Sequence, residues 1–169
     1  MDAIEAILSR RSIRKYSNKP INSDIIKQLL ETAFSAPSAS DRRPWHFIII
    51  DDREILDAIP KFHPYSNMLK NAKTAILACG DLHLEESEGY LSVNCSAATE
   101  NILLAAHAIG LGACWLGIYP RKERINGIKK LIKLPEHIIP ISLISLGYPA
   151  EYKTKEERYD ENRVHYNKW

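Results

Sequence analysis

The sequence predicts an α+β or α/β sandwich around one sheet, and three observations carry the prediction. Four short apolar runs, Phe47–Ile50, Thr74–Gly80, Ala113–Ile118 and Ile138–Leu146, have strand length and turn residues at their borders. Helical apolar spacing separates the runs and also precedes the first of them. The connections differ in length, so the sheet is expected to be mixed, and periodicity leaves its strand order open. At 169 residues the chain is one domain by length, large enough to bury a sizeable core.

Asp2 caps a first helix in which Ile4, Ile7 and Leu8 recur at helical spacing. Asn22 or Ser23 caps a second, whose Ile25, Ile26, Leu29, Leu30, Ala33 and Phe34 make one apolar face before the Pro37 turn ends it. Pro44 and Asp51-Asp52 bound the first strand. Ile55, Leu56 and Ile59 then suggest a helix stopped by Pro60, with loop over 62–67. The longest helix runs from about Leu91 to Ile109. Leu91, Cys95, Ala98, Ile102, Ala105 and Ile109 trace one stripe, and Val93, Ala97, Leu104 and Ala108 extend it to a second face. A helix apolar nearly all round is buried on several sides, as a core helix or at a subunit interface. Gly110 and Gly112 stop it. Pro120 opens a helix through Ile125, Ile128, Leu131 and Ile132, with Pro135 beyond its end. Pro140 inside the fourth strand predicts an edge position or an irregular start. After Gly147-Tyr148-Pro149, residues 150–169 are polar yet hold Tyr152, Tyr159, Val164, Tyr166 and Trp169, so they are expected to form a docked arm.

Composition narrows the function. Apolar residues are 45% and charged residues 26%, near the average for globular domains, and no apolar run approaches the roughly 18 residues of a membrane span. The N-terminus lacks the pattern of a signal peptide, which gives cytoplasmic residence as the expectation and no membrane partner. A net charge of +2, from 23 basic and 21 acidic residues, is too balanced for an obligate nucleic-acid binder and suits a small anionic ligand. Cys79, Cys95 and Cys114 are odd in number and lack C-x-x-C or Cys/His spacing, so they read as reduced core residues and no metal ligands are expected. His46 and His107 read as structural, and Trp45 and Trp115 as core.

Two segments carry chemistry. Arg10-Arg11-Ser12-Ile13-Arg14-Lys15-Tyr16 follows the first helix directly and concentrates cationic and hydroxyl donors able to hold a phosphate dianion. A solvated basic helix end is the plainer reading of the same residues. Ala36-Pro37-Ser38-Ala39-Ser40 begins a turn of small residues, continuing through Asp41, Arg42 and Arg43 to Pro44-Trp45, that lets another molecule approach the backbone. Arg158 in the arm is a further candidate cation. No G-x-G-x-x-G occurs, so no Rossmann site is expected.

In this order and combination the segments resemble the nitroreductase family of FMN-dependent oxidoreductases. The resemblance spans nearly the whole chain and includes Pro44-Trp45-His46-Phe47, Ser96-Ala97-Ala98 to Asn101, Gly110-Leu111-Gly112-Ala113-Cys114-Trp115-Leu116-Gly117 and Gly147-Tyr148-Pro149. It implies a single FMN-binding α+β domain over 1–169, with a central mixed, mostly antiparallel sheet flanked by helices. It also implies an obligate homodimer in which the arm at 150–169 docks on the partner subunit. Tightly bound FMN would take electrons from NADH or NADPH and pass them, by a ping-pong scheme, to a small-molecule acceptor such as a nitroaromatic or quinone. By the same likeness Arg10, Arg11 and Ser12 hold the phosphate and ribityl chain, Arg14 lies by the pyrimidine edge, and Arg158 completes the phosphate clamp. Pro37, Ser38, Ala39 and Ser40 come from the second subunit, and Leu116 and Gly117 lie along the isoalloxazine ring. Many members carry an amide where this chain has Asp41 and Arg43, and Arg43 is expected to add positive charge near the ring. No catalytic side chain is expected, because the cofactor carries the chemistry. The chain is short for the family, which implies an open pocket. Other chemistries on the same fold (dehalogenation, flavin fragmentation, dehydrogenation) and a non-enzymatic flavin-binding protein are the alternatives.

Overall fold

The computed structural model covers residues 1–169. Strands β1 (Trp45–Ile50), β2 (Thr74–Asp81), β3 (Gly112–Gly117) and β4 (Ile138–Gly147) form one sheet in the order β1-β2-β4-β3, with every neighbouring pair antiparallel. The parallel component is a single bridge, Ser12 to Ala113, and Tyr16 bridges Pro149 in the antiparallel sense. β2 and β4 lie in the middle and are buried on both faces, which is why their sequences read as continuous apolar runs without alternation.

Pro140 therefore lies in a central strand, and the edge reading is corrected. The irregular start holds: Cys79 faces Pro140 while Ala78 faces Ser142, so the ladder skips a residue where Pro140 has no N–H to give. The extra residue, Ile141, uses its carbonyl to accept from Ile118 N and Tyr119 N at 3.1 and 3.0 Å.

Helices cover both faces. On one, α2 (Ser23–Phe34) and α4 (Glu88–Ala108) enclose a cluster with Leu29, Ile76, Cys95, Ile102 and Ile144. On the other, α3 (Arg53–Ala58) and α5 (Lys122–Ile132) contribute Leu56 and Ile128 to a cluster with Leu77 and Leu143. Alternate residues of β2 and β4 thus feed opposite cores, and each fully buried Leu or Ile contributes roughly 1.5–3 kcal/mol. Within the first cluster Thr99 Oγ1 meets Ser142 Oγ at 2.7 Å, and Asn101 Nδ2 donates to Thr32 O at 2.9 Å, tying α4 to the sheet and to α2.

Element ends follow local chemistry. The Asp2 carboxylate caps α1 (Ala3–Ser9) by accepting from Glu5 N at 2.9 Å, and Asn22 Oδ1 caps α2 through Asp24 N at 2.9 Å. α4 starts three residues before its predicted start, capped by Ser87, because its polar first turn carries no apolar signal. α5 starts two residues after Pro120, which lies in the preceding turn, and ends on Lys133 in the left-handed region. Short 3-10 turns occupy Ile59–Lys61, just before the predicted loop, and Asn67–Lys70, at its end. No helix is long and apolar enough to cross a membrane. Residues 150–169 run extended with one 3-10 turn at Glu161–Arg163, and Tyr152, Tyr159, Tyr166 and Trp169 are exposed on the single chain.

Candidate active site

A cleft of about 790 Å³ opens beside β3, walled by Trp115, Leu116 and Gly117, by Arg14 from the segment after α1, and by His63 and Arg124. The segment carrying Arg14 is anchored by Tyr16, whose buried hydroxyl donates to Ile13 O at 2.6 Å and shares a 2.7 Å contact with Ser145 Oγ. Burial pushes the Tyr16 phenol well above its usual range, so it stays neutral and keeps its donor. Ile13 N donates to Ala113 O at 3.0 Å, laying the same segment along β3. Glu151 Oε1 then accepts from the backbone of Arg14 at 2.6 Å and Lys15 at 3.3 Å. The Arg14 N–H holds this carboxyl below the usual range, with Lys153 adding to the effect.

The Gly117 carbonyl accepts from Arg124 Nη1 at 2.7 Å and from His63 Nε2 at 3.1 Å. Burial, then the Arg124 charge, pull the His63 pKa below its ordinary value, against the opposite pull of its bond to Gly117 O. A neutral imidazole donating from Nε2 satisfies that geometry; its Nδ1 is buried without a protein partner. A Cβ on Gly117 would meet no protein atom within 4 Å, whereas one on Gly147 would come within 2.7 Å of the Tyr16 ring. Bare backbone at 117 is therefore not demanded by the protein's own packing and is open to the cleft.

Of the residues expected at the site, Arg14, Leu116 and Gly117 meet in this cleft. Ser12 lies in the adjoining bridge to Ala113, and its carbonyl accepts from Lys153 Nζ at 2.7 Å. Arg10 pairs with Glu100 at 3.6 Å. Arg11 is buried and turned onto backbone, donating to Arg10 O at 2.6 Å, Thr154 O at 3.1 Å and Glu156 O at 3.2 Å. Arg158 donates from Nη2 and Nε to one carboxylate oxygen, Glu156 Oε2, at 2.7 and 3.1 Å.

The Pro37–Arg43 turn does not line the cleft of its own chain. Ala39 and Ser40 border a second cavity of about 350 Å³ with Glu85, Ser87 and Tyr90. Ala39 N donates to Asn94 Oδ1 at 3.0 Å and Arg43 N to Ser38 Oγ at 3.0 Å, closing the turn, while Ser40, Asp41 and Arg43 take φ of 53°, 54° and 47°. Arg43 grips Asp41 at 2.6 and 2.7 Å, so its charge is balanced within the turn and Asp41 is held below the usual carboxylate range.

Sequence reasoning missed His63, Arg124, Lys153 and Glu151, which lie in loops, at a helix start and in the arm with no shared spacing. Trp45 is core as expected, but Trp115 is half-buried and walls the cleft. His107 is satisfied by Ser9 Oγ at 2.7 Å, whereas His46 is an exposed residue of the edge strand and not a buried structural one. All three cysteines are buried free thiols; burial pushes Cys79 and Cys95 up to about 12.

The family profile described as Nitroreductase family matches residues 7–75 and 61–148. The chain belongs to the nitroreductase family. A proposed NADH dehydrogenase/NAD(P)H nitroreductase of Methanothermobacter thermautotrophicus is 49% identical to it over 169 residues, covering 100% of this chain and 88% of the relative. The solved structure of a protein of the same description from Parabacteroides distasonis is 41% identical, with a TM-score of 0.95 over 99% of this chain and 98% of that one. A proposed nitroreductase from Desulfovibrio desulfuricans, solved in complex with FMN, is 29% identical with a TM-score of 0.86 over 100% of this chain and 98% of that one. The likeness to the nitroreductase structures extends over nearly the whole chain, the sheet and its two helical layers included.

Proposed function

We propose that the chain is an FMN-dependent NAD(P)H oxidoreductase, active as a homodimer, that reduces a small acceptor such as a nitroaromatic or quinone by two electrons. The observation that carries this reading is the wall at Leu116-Gly117, where a residue without a side chain opens onto a cleft lined by Arg14, Lys15, Arg124 and Lys153. A flat, anionic ligand fits such a wall, and the FMN complex of the Desulfovibrio relative supports its identity. Bound FMN would supply hydride acceptance from NADH or NADPH and electron delivery to the acceptor.

The protein's part is positioning and electrostatics. Arg124 and His63 fix the Gly117 carbonyl from both sides, which keeps the β3 wall rigid. Arg14, presented by the Tyr16 anchor and the Glu151 carboxylate, supplies a cation to favour an electron-rich ring. Arg10, Arg11 and Ser12 sit at the end of α1, where Arg11 holds the start of the arm through Glu156 O; in this reading they bind the phosphate, and Arg158, paired with Glu156 in the single chain, joins them. The Pro37–Ser40 turn reaches a flavin site only from a second copy. Exposure of Ile4, Ile7 and Leu8 on α1, of Tyr90 and Val93 on α4, and of the arm aromatics supports that arrangement. Cytoplasmic residence completes the proposal.

The test is an absorbance spectrum of the purified protein, then anaerobic addition of NADH and of NADPH. Flavin bands that bleach with either nucleotide are expected. A colourless protein that takes up no added FMN overturns the reading, and flavin that neither nucleotide reduces moves it to another chemistry on the same fold.

A further inference from the structure

We propose that Asp81, His83 and His137 form a binding site for a first-row divalent transition cation such as Zn²⁺ or Ni²⁺, separate from the flavin cleft. The cleft lies beside β3 at one edge of the sheet; this cluster lies where β2 ends and β4 begins, next to β1 at the other edge. One ligand atom from each residue lies within 4.8 Å of the other two. Metal–nitrogen and metal–oxygen bonds of about 2.0–2.2 Å in a tetrahedral site bring ligand atoms to about 3.3 Å. Rotation of two imidazoles that are not buried covers the difference.

The backbone already holds the ligands in place. Leu82 N donates to His137 O at 3.0 Å, joining the two turns that carry them, and His83 N donates to Asp81 Oδ1 at 2.8 Å. The His83 and His137 rings stack with centroids 4.0 Å apart and an angle of 9°, so the two imidazoles lie side by side next to the carboxylate. His46 Nε2 lies 3.3 Å from the other carboxylate oxygen, Asp81 Oδ2, where a second-layer partner orients a ligating carboxylate. Three of the chain's six histidines thus converge on one carboxylate. Two imidazoles and one carboxylate select zinc, nickel, cobalt or copper over magnesium or calcium, which prefer all-oxygen sets. A cation here would clamp the turn leading into α4 to the turn leading into β4.

The experiment uses untagged, full-length, flavin-loaded protein freed of metal by a chelator and titrated calorimetrically with ZnCl₂ and, separately, NiCl₂. The expected result is one cation per chain with micromolar affinity. Saturation should raise Tm by about 5 °C or more at a hundredfold excess over Kd. His83→Ala and His137→Ala should each weaken binding at least about tenfold, and His46→Ala by about 10–100-fold, while His107→Ala leaves it unchanged. Equal Tm values of the metal-free variants and the parent show that the losses belong to the site and not to the fold. No saturable binding below millimolar cation, or binding that survives in the His83→Ala/His137→Ala double variant, overturns the proposal.

Discussion

Gly117 and Gly147 lie at opposite ends of the β3–β4 ladder, paired with Ser142 and Gly112, yet answer to different demands. A methyl group on Gly147 would lie 2.7 Å from Tyr16 Cδ1 and 2.8 Å from its Cβ, and the ring cannot retreat because its hydroxyl is held by Ile13 and Ser145. Gly147→Ala should therefore destabilise the fold by about 1–3 kcal/mol, read from the urea midpoint. Gly117→Ala meets open space, so the metal- and flavin-free protein should keep its stability within about 0.5 kcal/mol. Its FMN affinity should fall about 5- to 150-fold, as an overpacking clash of about 1–3 kcal/mol requires. Equal FMN affinity in that variant would show that the ligand does not lie on this wall. His63 and His107 are both held below their ordinary pKa, each by burial first and then by neighbouring arginines. The unfolded chain then binds more protons than the folded one between the depressed folded values and about 6.5, so stability rises with pH across that window and is lost as pH falls through it. The slope of urea midpoint against pH should flatten in a His63→Gln/His107→Gln double variant.

Among the elements, α3 depends most on its cap. It is six residues long, and Asp52 Oδ1 accepts from Glu54 N at 2.8 Å and Ile55 N at 3.3 Å, serving two of the amides that no helix of this length satisfies internally. Its Leu56 is fully buried in the core beneath. Asp52→Ala should lower stability by about 1 kcal/mol, with Asp52→Asn close to the parent, in chemical denaturation. α4 shows the opposite regime. Its 21 residues bury Leu91, Cys95, Ala98, Ile102 and Ala106 against the sheet and α2, while Tyr90 and Val93 stay exposed, so its all-round apolar pattern reports two surfaces of which the single chain covers one.

For the molecule as a whole, the uncovered apolar surface of α1, α4 and the arm and the distance of the Pro37–Arg43 turn from the Arg14 cleft have one resolution in the proposed dimer. The arm is tied to the first motif: Arg11 donates to Thr154 O and Glu156 O, and Lys153 Nζ to Ser12 O. Deleting residues 153–169 strips a buried guanidinium of those acceptors, a loss of about 1.5–3 kcal/mol for each charged hydrogen bond. FMN occupancy and dimer stability should fall together, measured by flavin absorbance and by sedimentation over a concentration series. A truncated dimer still saturated with FMN would refute the role given to the arm.

Helix caps at Asp2 and Asn22, the four apolar runs, the buried thiols and the motifs that mark the family were readable along the chain, because each depends on neighbours within a few residues or on a run of one composition. The order β1-β2-β4-β3 was not, and neither was the central place of Pro140, since strand pairing is chosen by burial summed over the whole sheet. The same applies to the sites. Arg14 was visible in a contiguous motif, but His63 and Arg124 reach the Gly117 carbonyl from segments 54 and 7 residues away, and the histidines around Asp81 come from one strand and two turns. Convergence of that kind has no local signature. It exists only once the sheet has closed and brought the ends of its strands to one place.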